Sequence, residues 1–373
     1  MRILHVVPTY LPARRYGGPI FAVHGLCRAL VQRGHEVEVF TTDVDGEGVS
    51  GVPTGTPVDL DGVRVTYFPT RFRRLYWSPP MKDGLADRIR EFDLVHNHSV
   101  FLWPTAAAAT AARVRKVPYV ISPRGMLVHE LIRRRSPLAK RAWIRLVEQR
   151  NFRSAAAIHF TSRLEADEAR RVGLPIPRPF VVPNGIDLPP SVPVARDPAT
   201  ILFLGRITWK KGIDRIITAL PMIPGARLIV AGNDDESLTP RLAELAERLR
   251  VTDRIEFTGP VGGDRKRDLL ARATVVVLPS ISENFGNVVL EAMAAAAPVV
   301  VTPEVGLADD VAKARAGLVS SGHPRDLAAA IARIVNDPEQ RHEMGQRARK
   351  LVEETFTWPR IAERMEQEYA RLL

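Results

Sequence analysis

The segment Ser282–Glu291 carries the clearest chemical pattern in the chain. It reads Ser-Glu-Asn-Phe-Gly-Asn-Val-Val-Leu-Glu, with Glu283 in a loop after a predicted strand and Glu291 inside the following predicted helix. An open helix N-terminus presents unpaired N–H groups and a positive dipole end, which suit a phosphate. Carboxylates beside it suit the hydroxyls of a sugar or ribose. The alternative is that both glutamates are solvated and bind nothing. The apolar residues around Glu291 make this alternative less favoured.

A second candidate site lies in the run Leu202–Gly212, where Gly205-Arg206 ends a predicted strand and Lys211 precedes a predicted helix. Glycine lets the backbone turn close to a ligand. A guanidinium offers a planar fork to a diphosphate, and an ammonium offers a point charge to the same group. Two solvated cations are the alternative.

Gly17-Gly18 forms a glycine loop between the first predicted strand and the first predicted helix. It lacks the G-x-G-x-x-G spacing, so a dinucleotide-binding loop is not indicated. The pair is expected either to approach a ligand or to form an ordinary turn.

Two histidines end another predicted strand in Asp93-Leu-Val-His96-Asn97-His98. Residues i and i+2 of a strand point to the same face, so the two histidines could both bind a zinc ion. The sequence shows no third ligand nearby. We expect His96 to be structural. His98, close to the aromatic residues Phe101 and Trp103, is expected to belong to a site.

Arg124 lies in Ile121-Ser-Pro-Arg-Gly125, which also follows a predicted strand. It is expected to hold an anionic group, with a solvated loop arginine as the alternative.

These loops must be positioned by elements that alternate between short β-branched runs and amphipathic segments. Strands are predicted at 3–7, 37–41, 63–68, 94–96, 119–122, 157–160, 201–204, 226–231, 254–258, 274–278 and 298–301. Helices are predicted at 20–33, 103–113, 138–152, 162–172, 212–220, 240–249, 264–271, 287–296, 324–336, 338–354 and 358–372. Continuous apolar strands separated by helices indicate parallel sheets covered on both faces. The fold class is therefore α/β, with two doubly wound domains, and ligands in such sheets bind at the carboxyl ends of the strands.

Length and composition agree with this organisation. The chain has 373 residues, 45% hydrophobic and 25% charged, which suits two globular domains and excludes disordered, fibrous and multi-span membrane proteins. Prolines cluster between 175 and 198, and they predict the domain boundary near 184–198. The single cysteine, Cys27, is expected to be a small core residue. The apolar N-terminal run is too short for a signal peptide, so a cytoplasmic protein is expected.

The net charge of +11 is unevenly distributed. Residues 1–200 carry 29 basic and 18 acidic side chains, whereas residues 201–373 carry 24 of each. Residues 113–153 alone hold twelve basic and two acidic side chains, a balance of +10. Such a segment suits an anionic partner: a nucleic acid, a membrane surface or a phosphate-bearing substrate.

In combination, the motifs resemble those of the retaining family-4 glycosyltransferases, also called glycosyl transferases group 1. The resemblance rests on Glu283 with Glu291, on Gly205–Gly212, on Gly17-Gly18, on Asp93…His98 and on Val182–Asp187. This family comprises nucleotide-sugar-dependent enzymes with two facing Rossmann-like domains, the GT-B architecture. The resemblance covers nearly the whole chain and implies an acceptor-binding domain over 1–184 and a donor-binding domain over 185–356. The helix over 357–373 would pack back on the first domain.

The resemblance also implies roles for individual residues. Those expected to take part in catalysis are His98, Arg206, Lys211 and Glu283. Those expected to bind the donor are Gly17, Gly18, Gly205, Gly232, Pro260, Val261, Asn284, Phe285, Gly286, Asn287, Val288 and Glu291. Those expected to bind the acceptor are Arg124, Phe101 and Trp103. The donor would be a UDP- or GDP-linked hexose, used without a metal or other cofactor, in polysaccharide or glycoconjugate biosynthesis.

Two other functions stay open at this stage. A sugar-nucleotide epimerase or a phosphorylase shares the two-domain arrangement, although a phosphorylase would need pyridoxal phosphate on a lysine. A nucleic-acid-binding protein would use the basic segment 113–153, but aromatics are only 6% of the chain and no binding motif is recognised. The basic segment, which includes Arg133, Arg134 and Arg135 and surrounds a Trp-containing helix, is typical of a surface that meets an anionic membrane. We therefore expect no nucleic acid partner, and we hypothesise attachment to the inner membrane face, near a lipid-diphosphate-linked acceptor.

Overall fold

The computed structural model describes residues 1–13, 17–128, 132, 137–190 and 195–373. Its contacts divide the chain into two units, Met1–Gly185 with Trp358–Leu373, and Ile186–Thr357. The boundaries predicted from the sequence lie one residue before each of these.

The first unit is built on an eight-stranded sheet with the order β10-β9-β8-β7-β1-β2-β6-β5. Its strands are β1 (Arg2–Val6), β2 (Glu36–Thr42), β5 (Pro57–Leu60), β6 (Val63–Phe68), β7 (Leu94–His98), β8 (Tyr119–Ser122), β9 (Ala157–Phe160) and β10 (Pro179–Val181), and a separate hairpin pairs β3 (Val44–Asp45) with β4 (Gly48–Val49). All neighbours in the large sheet are parallel except β5 with β6. Adjacent residues of β1 enter different hydrophobic cores, Leu4 in one and Ile3 in the other. The sheet is therefore buried on both faces, which explains its continuous apolar strands.

The helices of this unit lie between the strands and after the second unit. They are α1 (Gly18–Gln32), α2 (Pro79–Arg88), α3 (Trp103–Arg115), α4 (Pro137–Trp143), α5 (Gln149–Ser154), α6 (Arg163–Arg171) and α14 (Trp358–Ala370).

The second unit is a six-stranded parallel sheet with the order β13-β12-β11-β14-β15-β16. Its strands are β11 (Thr200–Leu204), β12 (Arg227–Ala231), β13 (Ile255–Gly259), β14 (Val275–Leu278), β15 (Val299–Val301) and β16 (Gly317–Val319). Its helices are α7 (Ile213–Ala219), α8 (Thr239–Arg248), α9 (Gly263–Arg272), α10 (Asn287–Ala294), α11 (Ala308–Ala314), α12 (Pro324–Asn336) and α13 (Pro338–Thr355). The chain order reverses between β11 and β14, so loops that follow both strands open at one switch point.

Several elements differ from the sequence prediction. The helix predicted over 138–152 is α4, a π-helical turn at Ile144–Glu148, and α5. The Glu148 carboxylate is buried there and accepts hydrogen bonds from the Phe101 N–H and the Trp143 indole N–H, both at 2.8 Å. An inward carboxylate of this kind accompanies the widened turn, and an apolar periodicity cannot reveal it. The proline-rich segment also contains β10, which adds to an edge of the sheet, where prolines are tolerated.

The C-terminal helix α14 packs on α1 of the first unit through Trp358. A Cβ atom on Gly25 of α1 would lie 2.1 Å from the Trp358 ring, and one on Gly185 would lie 2.5 Å from it. Two glycines therefore make the space that the indole occupies. Among the described residues, no helix is both long and apolar enough to cross a membrane.

Candidate functional site

Glycines hold the ends of two neighbouring strands of the second unit close together. Gly205, after β11, donates its N–H to the Ala231 carbonyl at 2.9 Å, and Gly232, after β12, donates to the Gly259 carbonyl at 2.9 Å. A Cβ on Gly232 would lie 1.8 Å from the Gly205 carbonyl oxygen. Gly232, a predicted donor-binding residue, is therefore also required for the close approach of the two strand ends.

Lys211 and Glu283 form an ion pair at the carboxyl ends of β11 and β14, with the lysine Nζ donating to a glutamate oxygen. Both side chains are largely buried. Burial by itself would raise the pKa of the Glu283 carboxyl, but the Lys211 ammonium outweighs it, with help from Lys210 and Arg206, so that pKa is lowered. Glu283 is therefore held ionised against three cations. The structure brings these predicted catalytic residues of the second unit together.

The backbone around Glu283 is fixed by a second loop. The Glu283 N–H donates to the Glu304 carbonyl, and the Gly306 N–H donates to the Glu283 carbonyl, each at 2.9 Å. Gly286 then adopts a φ of 96° at the start of α10, a conformation that suits glycine. The predicted helix thus begins at Asn287, with no side-chain cap hydrogen bond at Gly286, shortly after the hydrogen-bonded backbone of Glu283.

Arg206 and Glu291 each face a partner other than Lys211. The Arg206 guanidinium lies 3.6 Å from the Asp235 carboxylate, at the surface. The Glu291 carboxylate accepts from the Lys266 ammonium of α9 at 2.7 Å. The sequence prediction treated these groups as available for a diphosphate and a ribose. In this structure each lies beside an opposite charge, and only the Lys266–Glu291 contact is a hydrogen bond. A ligand that hydrogen-bonds to the same Glu291 oxygen would compete with Lys266.

The other predicted donor-binding residues are divided between the two units. Phe285 is buried and stacks edge-on with Phe356 at 6.4 Å, so its side chain supports the loop rather than lining an open surface. Val288 and Val261 pack against the core of the second unit, and Pro260 is exposed after β13. Asn284 lies in the loop before α10, and Asn287 is the first residue of that helix. In the first unit, Gly17 precedes α1 and Gly18 is its first residue.

In the first unit, His98 ends β7 and is completely buried. Its Nδ1 atom accepts from the Arg124 guanidinium, whose Nη2 lies at 3.2 Å and Nε at 3.3 Å. Its Nε2 atom lies 2.9 Å from His5 Nδ1. Since an arginine only donates, His98 must carry its proton on Nε2 and donate it to His5. Both ring nitrogens are engaged, so His98 is placed to hold Arg124 rather than to exchange a proton with a substrate in this arrangement. Its catalytic role stays a prediction.

A second line of neutral imidazoles runs beside the first. His159 donates Nε2–H to the Val182 carbonyl at 2.8 Å, so its Nδ1 accepts from His96 Nε2 at 3.3 Å. His96 Nδ1 in turn accepts from the Tyr369 hydroxyl of α14 at 2.6 Å. Burial, with a smaller contribution from Arg124, lowers the pKa of His5 and of His159 to about 3. The imidazoles of the cluster are therefore uncharged at neutral pH.

Arg124 is the charged group of this cluster. Its Nη1 donates to the Asn184 side-chain oxygen at 2.8 Å, and its backbone has a φ of 54°. The adjacent Gly125 N–H donates to the buried Glu165 carboxylate at 2.7 Å. Burial lowers the pKa of the Arg124 guanidinium. Its predicted anion-binding role stays a prediction.

The histidine cluster corrects the expectation that no third metal ligand lies near His96 and His98. His5 supplies the third imidazole that the sequence did not reveal, and the ring nitrogens of His5, His96 and His98 lie within 4.8 Å of one another. However, two of those nitrogens already share a hydrogen bond, and the rings are enclosed. Asp43-Val-Asp45 also has an Asp-x-Asp spacing, but Asp43 accepts hydrogen bonds from the Thr70 N–H at 3.0 Å and the Thr70 hydroxyl at 2.8 Å.

The predicted acceptor residues Phe101 and Trp103 stand at the start of α3. The Phe101 ring lies 5.9 Å from the Lys140 ammonium, and Trp103 lines an apolar groove together with Trp143. Arg133, Arg134 and Arg135, named in the membrane hypothesis, lie outside the described residues.

Sequence reasoning missed several polar partners of the candidate site. They are His5, His159, Tyr369, Asp235 and Lys266. Each is distant in the chain from its partner, so no local motif marks it.

Comparisons with known proteins agree with this geometry. Residues 17–185 match the model of the glycosyl transferase 4-like domain, and residues 187–351 match that of the glycosyl transferases group 1. The chain is 30% identical to an uncharacterized glycosyltransferase of Methanocaldococcus jannaschii, over 97% of this chain and 96% of the relative. It is 31% identical to glycogen synthase of Mycobacterium tuberculosis, over 99% and 94% of the two chains.

Solved structures share the fold over the full length. Sucrose-phosphate synthase from Thermosynechococcus elongatus is 24% identical, with a TM-score of 0.76 over 100% of this chain and 98% of that one. Anabaena HepE in complex with UDP-glucose is 19% identical, with a TM-score of 0.77 over 100% of both. The predicted GT-B architecture is thereby confirmed. With both family models and a full-length relative in agreement, the chain belongs to the family-4 (group 1) glycosyltransferases and is a glycosyltransferase.

Proposed function

We propose that this glycosyltransferase transfers a hexose from a nucleotide diphosphate sugar, with retention of configuration and without a metal or other cofactor. The observation that carries the proposal is the Lys211–Glu283 ion pair at the carboxyl ends of β11 and β14. It lies in the part of a doubly wound sheet that binds ligands. HepE, which shares the fold, is known in complex with UDP and with UDP-glucose, and this supports a nucleotide-sugar donor here.

The chemical step depends on the charge that develops on the leaving group. As the bond between the anomeric carbon and the diphosphate oxygen breaks, negative charge grows on that oxygen. Arg206 and Lys211 would stabilise this charge more in the transition state than in the ground state, which is the condition for catalysis. Glu283, held ionised, would accept hydrogen bonds from the hydroxyls of the transferred sugar.

Retention follows if the acceptor attacks from the face that the diphosphate leaves. The acceptor hydroxyl oxygen then bonds to the anomeric carbon, and its proton passes to the departing phosphate oxygen. This route needs no carboxylate nucleophile. NMR of the product reports the outcome, because an inverted anomeric centre would contradict the retaining mechanism.

The first unit is proposed to bind a glycan or a lipid-linked saccharide acceptor, with Arg124 toward an anionic group. A D-inositol 3-phosphate glycosyltransferase of Paenarthrobacter aurescens is 29% identical over 96% of this chain, which supports a phosphate-bearing acceptor. The excess of basic residues over 113–153 supports a cytoplasmic protein that attaches peripherally to an anionic membrane face. Equal sedimentation with anionic and neutral liposomes would contradict that attachment.

A panel of UDP- and GDP-sugars tests the donor by thermal shift. The true donor should stabilise the protein by about 2.7 kcal/mol at a hundred times its dissociation constant, and stabilisation by none of them would contradict the proposal. Nucleotide release should require an acceptor, whereas an epimerase would need none. Turnover should be unchanged in EDTA.

A further inference from the structure

An apolar groove in the first unit includes the predicted acceptor residue Trp103 but has no part in the proposed bond-breaking and bond-forming step. It has a volume of about 730 Å³ and lies between α2, α3 and the π-helical turn, with Leu85, Trp103, Ala107, Val114, Trp143 and Val147 among its lining residues. This volume is within the range of roughly 300–1,000 Å³ that is typical of small-molecule sites, which are mostly apolar. The groove is therefore large enough to take an apolar ligand.

The surroundings of the groove are both apolar and basic. Val114, which lines the groove, is 68% exposed. Leu138 in α4 and Leu146 in the π-helical turn are 79% and 76% exposed. Lys82 and Arg115 line the groove itself. An apolar slot with cations at its edge is complementary to an amphiphile with an anionic head group.

The groove wall is also fixed in shape. The indole N–H of Trp143 and the backbone N–H of Phe101 both donate to the buried Glu148 carboxylate at 2.8 Å. This carboxylate ties the groove to the loop that follows β7. A pre-formed slot loses less conformational entropy when it binds a flexible chain.

We infer that this groove binds one hydrocarbon chain of an anionic membrane lipid, with the lipid phosphate at Lys82 and Arg115. The inference rests on the proposed membrane attachment and deepens it, because it replaces a general charge attraction with a defined site. Bound in this way, a lipid would hold the first unit at the membrane surface.

Monoalkyl phosphates of eight, ten and twelve carbons, used below their micelle concentrations with the full-length protein, test the inference by calorimetry. Each pair of added methylenes should tighten binding about fifteenfold. Lys82→Gln and Arg115→Gln should each weaken the binding of decyl phosphate about fivefold. Neither should change the binding of decyl maltoside. Equal binding of the phosphate and the maltoside, or no dependence on chain length, would overturn the inference.

Variants of the groove locate the site. Val114→Asp should weaken decyl phosphate at least tenfold, and Thr110→Trp, which puts an indole into the groove, should do the same if the first variant folds poorly. Val49→Asp is the matched control, since Val49 is 56% exposed on the β3–β4 hairpin. Unchanged binding in both groove variants would overturn the inference. Their thermal shift with nucleotide sugars should stay that of the wild type, so failure here is distinguishable from failure of the proposed transferase.

Discussion

At the scale of single residues, three cations of the candidate site in the second unit form ion pairs with carboxylates. Lys211 faces Glu283, Arg206 faces Asp235 and Lys266 faces Glu291. The Lys211–Glu283 pair is the most buried of the three, so its members depend most on each other. Removing one partner of a buried pair leaves an uncompensated charge, which costs more than removing both.

Because the two partners depend on each other, single and double variants can distinguish the contribution of Lys211 to turnover from its contribution to stability. Lys211→Ala should lower turnover about a hundredfold and destabilise the second unit by about 2 kcal/mol, because the ionised Glu283 carboxylate loses its nearest cation. The double variant Lys211→Ala with Glu283→Gln should recover most of the stability and none of the activity. Steady-state kinetics and denaturant unfolding measure the two effects. Normal turnover in a folded Lys211→Ala protein would rule out the role.

The buried imidazoles predict a pH dependence of stability. The pKa of His5 is about 3 in the folded chain, and that of an unfolded histidine is about 6.5. Between these values the unfolded state binds a proton that the folded state does not. The free energy of unfolding should therefore fall as the pH drops below about 6.5, by about 1.4 kcal/mol per pH unit for this residue.

His5→Asn tests this dependence with little structural change. The amide oxygen can replace Nδ1 as the acceptor from His98, and His5 Nε2 has no hydrogen-bond partner among the described residues. We expect urea unfolding from pH 4 to 8 to show that the free energy of unfolding of His5→Asn depends less steeply on pH than that of the wild type. The difference in slope should be about 1.4 kcal/mol per pH unit below pH 6.5 and zero above it. Parallel curves for the two proteins would contradict the prediction, because they would show that His5 binds its proton equally well in the folded and unfolded states.

At the scale of elements, glycines decide how closely α1 and α14 approach. Trp358 is 6% exposed although it begins a helix far from α1 in the chain. It fits because Gly25 and Gly185 lack side chains. The same argument applies to Gly232, where a Cβ would lie 1.8 Å from the Gly205 carbonyl oxygen.

Gly25→Ala should destabilise the first unit by about 1–3 kcal/mol, because the added methyl group overlaps the indole. Combining it with Trp358→Phe, which shortens the ring, should recover part of that loss. Gly34→Ala is not a suitable control because of its positive φ, so Gly51→Ala, which meets nothing within 4 Å, serves instead. Thermal unfolding distinguishes them, and equal effects of the Gly25 and Gly51 substitutions would contradict the packing argument.

At the scale of the whole molecule, the last segment of the chain belongs to the first unit. Helix α14 buries Trp358, Ile361, Ala362, Met365 and Tyr369 in that unit's core. The Tyr369 hydroxyl also donates to His96. The first unit is therefore completed by residues that are synthesised after the second unit.

Truncation after Thr357 should destabilise the first unit selectively. It exposes the apolar face of α1 and removes the hydrogen bond to His96, whereas the second unit keeps its own core. Hydrogen exchange should accelerate in β1, β7 and α1 and stay slow in β11, β12 and β14. Uniform acceleration in both units would show that they unfold together.

Local sequence patterns are sufficient to predict the bounds of several helices. The α12 bounds at 324–336 match the prediction, and those of α9, α10 and α13 differ by one or two residues. Helices α2 and α11 were not predicted, since α2 begins with two prolines and α11 is only seven residues long.

The sequence by itself determined the fold class, the family, the strand-end loops and the residue types that meet there, because hydrophobic period and glycine placement act between near neighbours in the chain. Only the tertiary structure decided the partners. His5 and His98 are 93 positions apart, Lys211 and Glu283 are 72 apart, and His96 and Tyr369 are 273 apart. A parallel sheet brings distant strand ends to one edge, so the charge, tautomer and burial of each side chain depend on residues that no local motif contains.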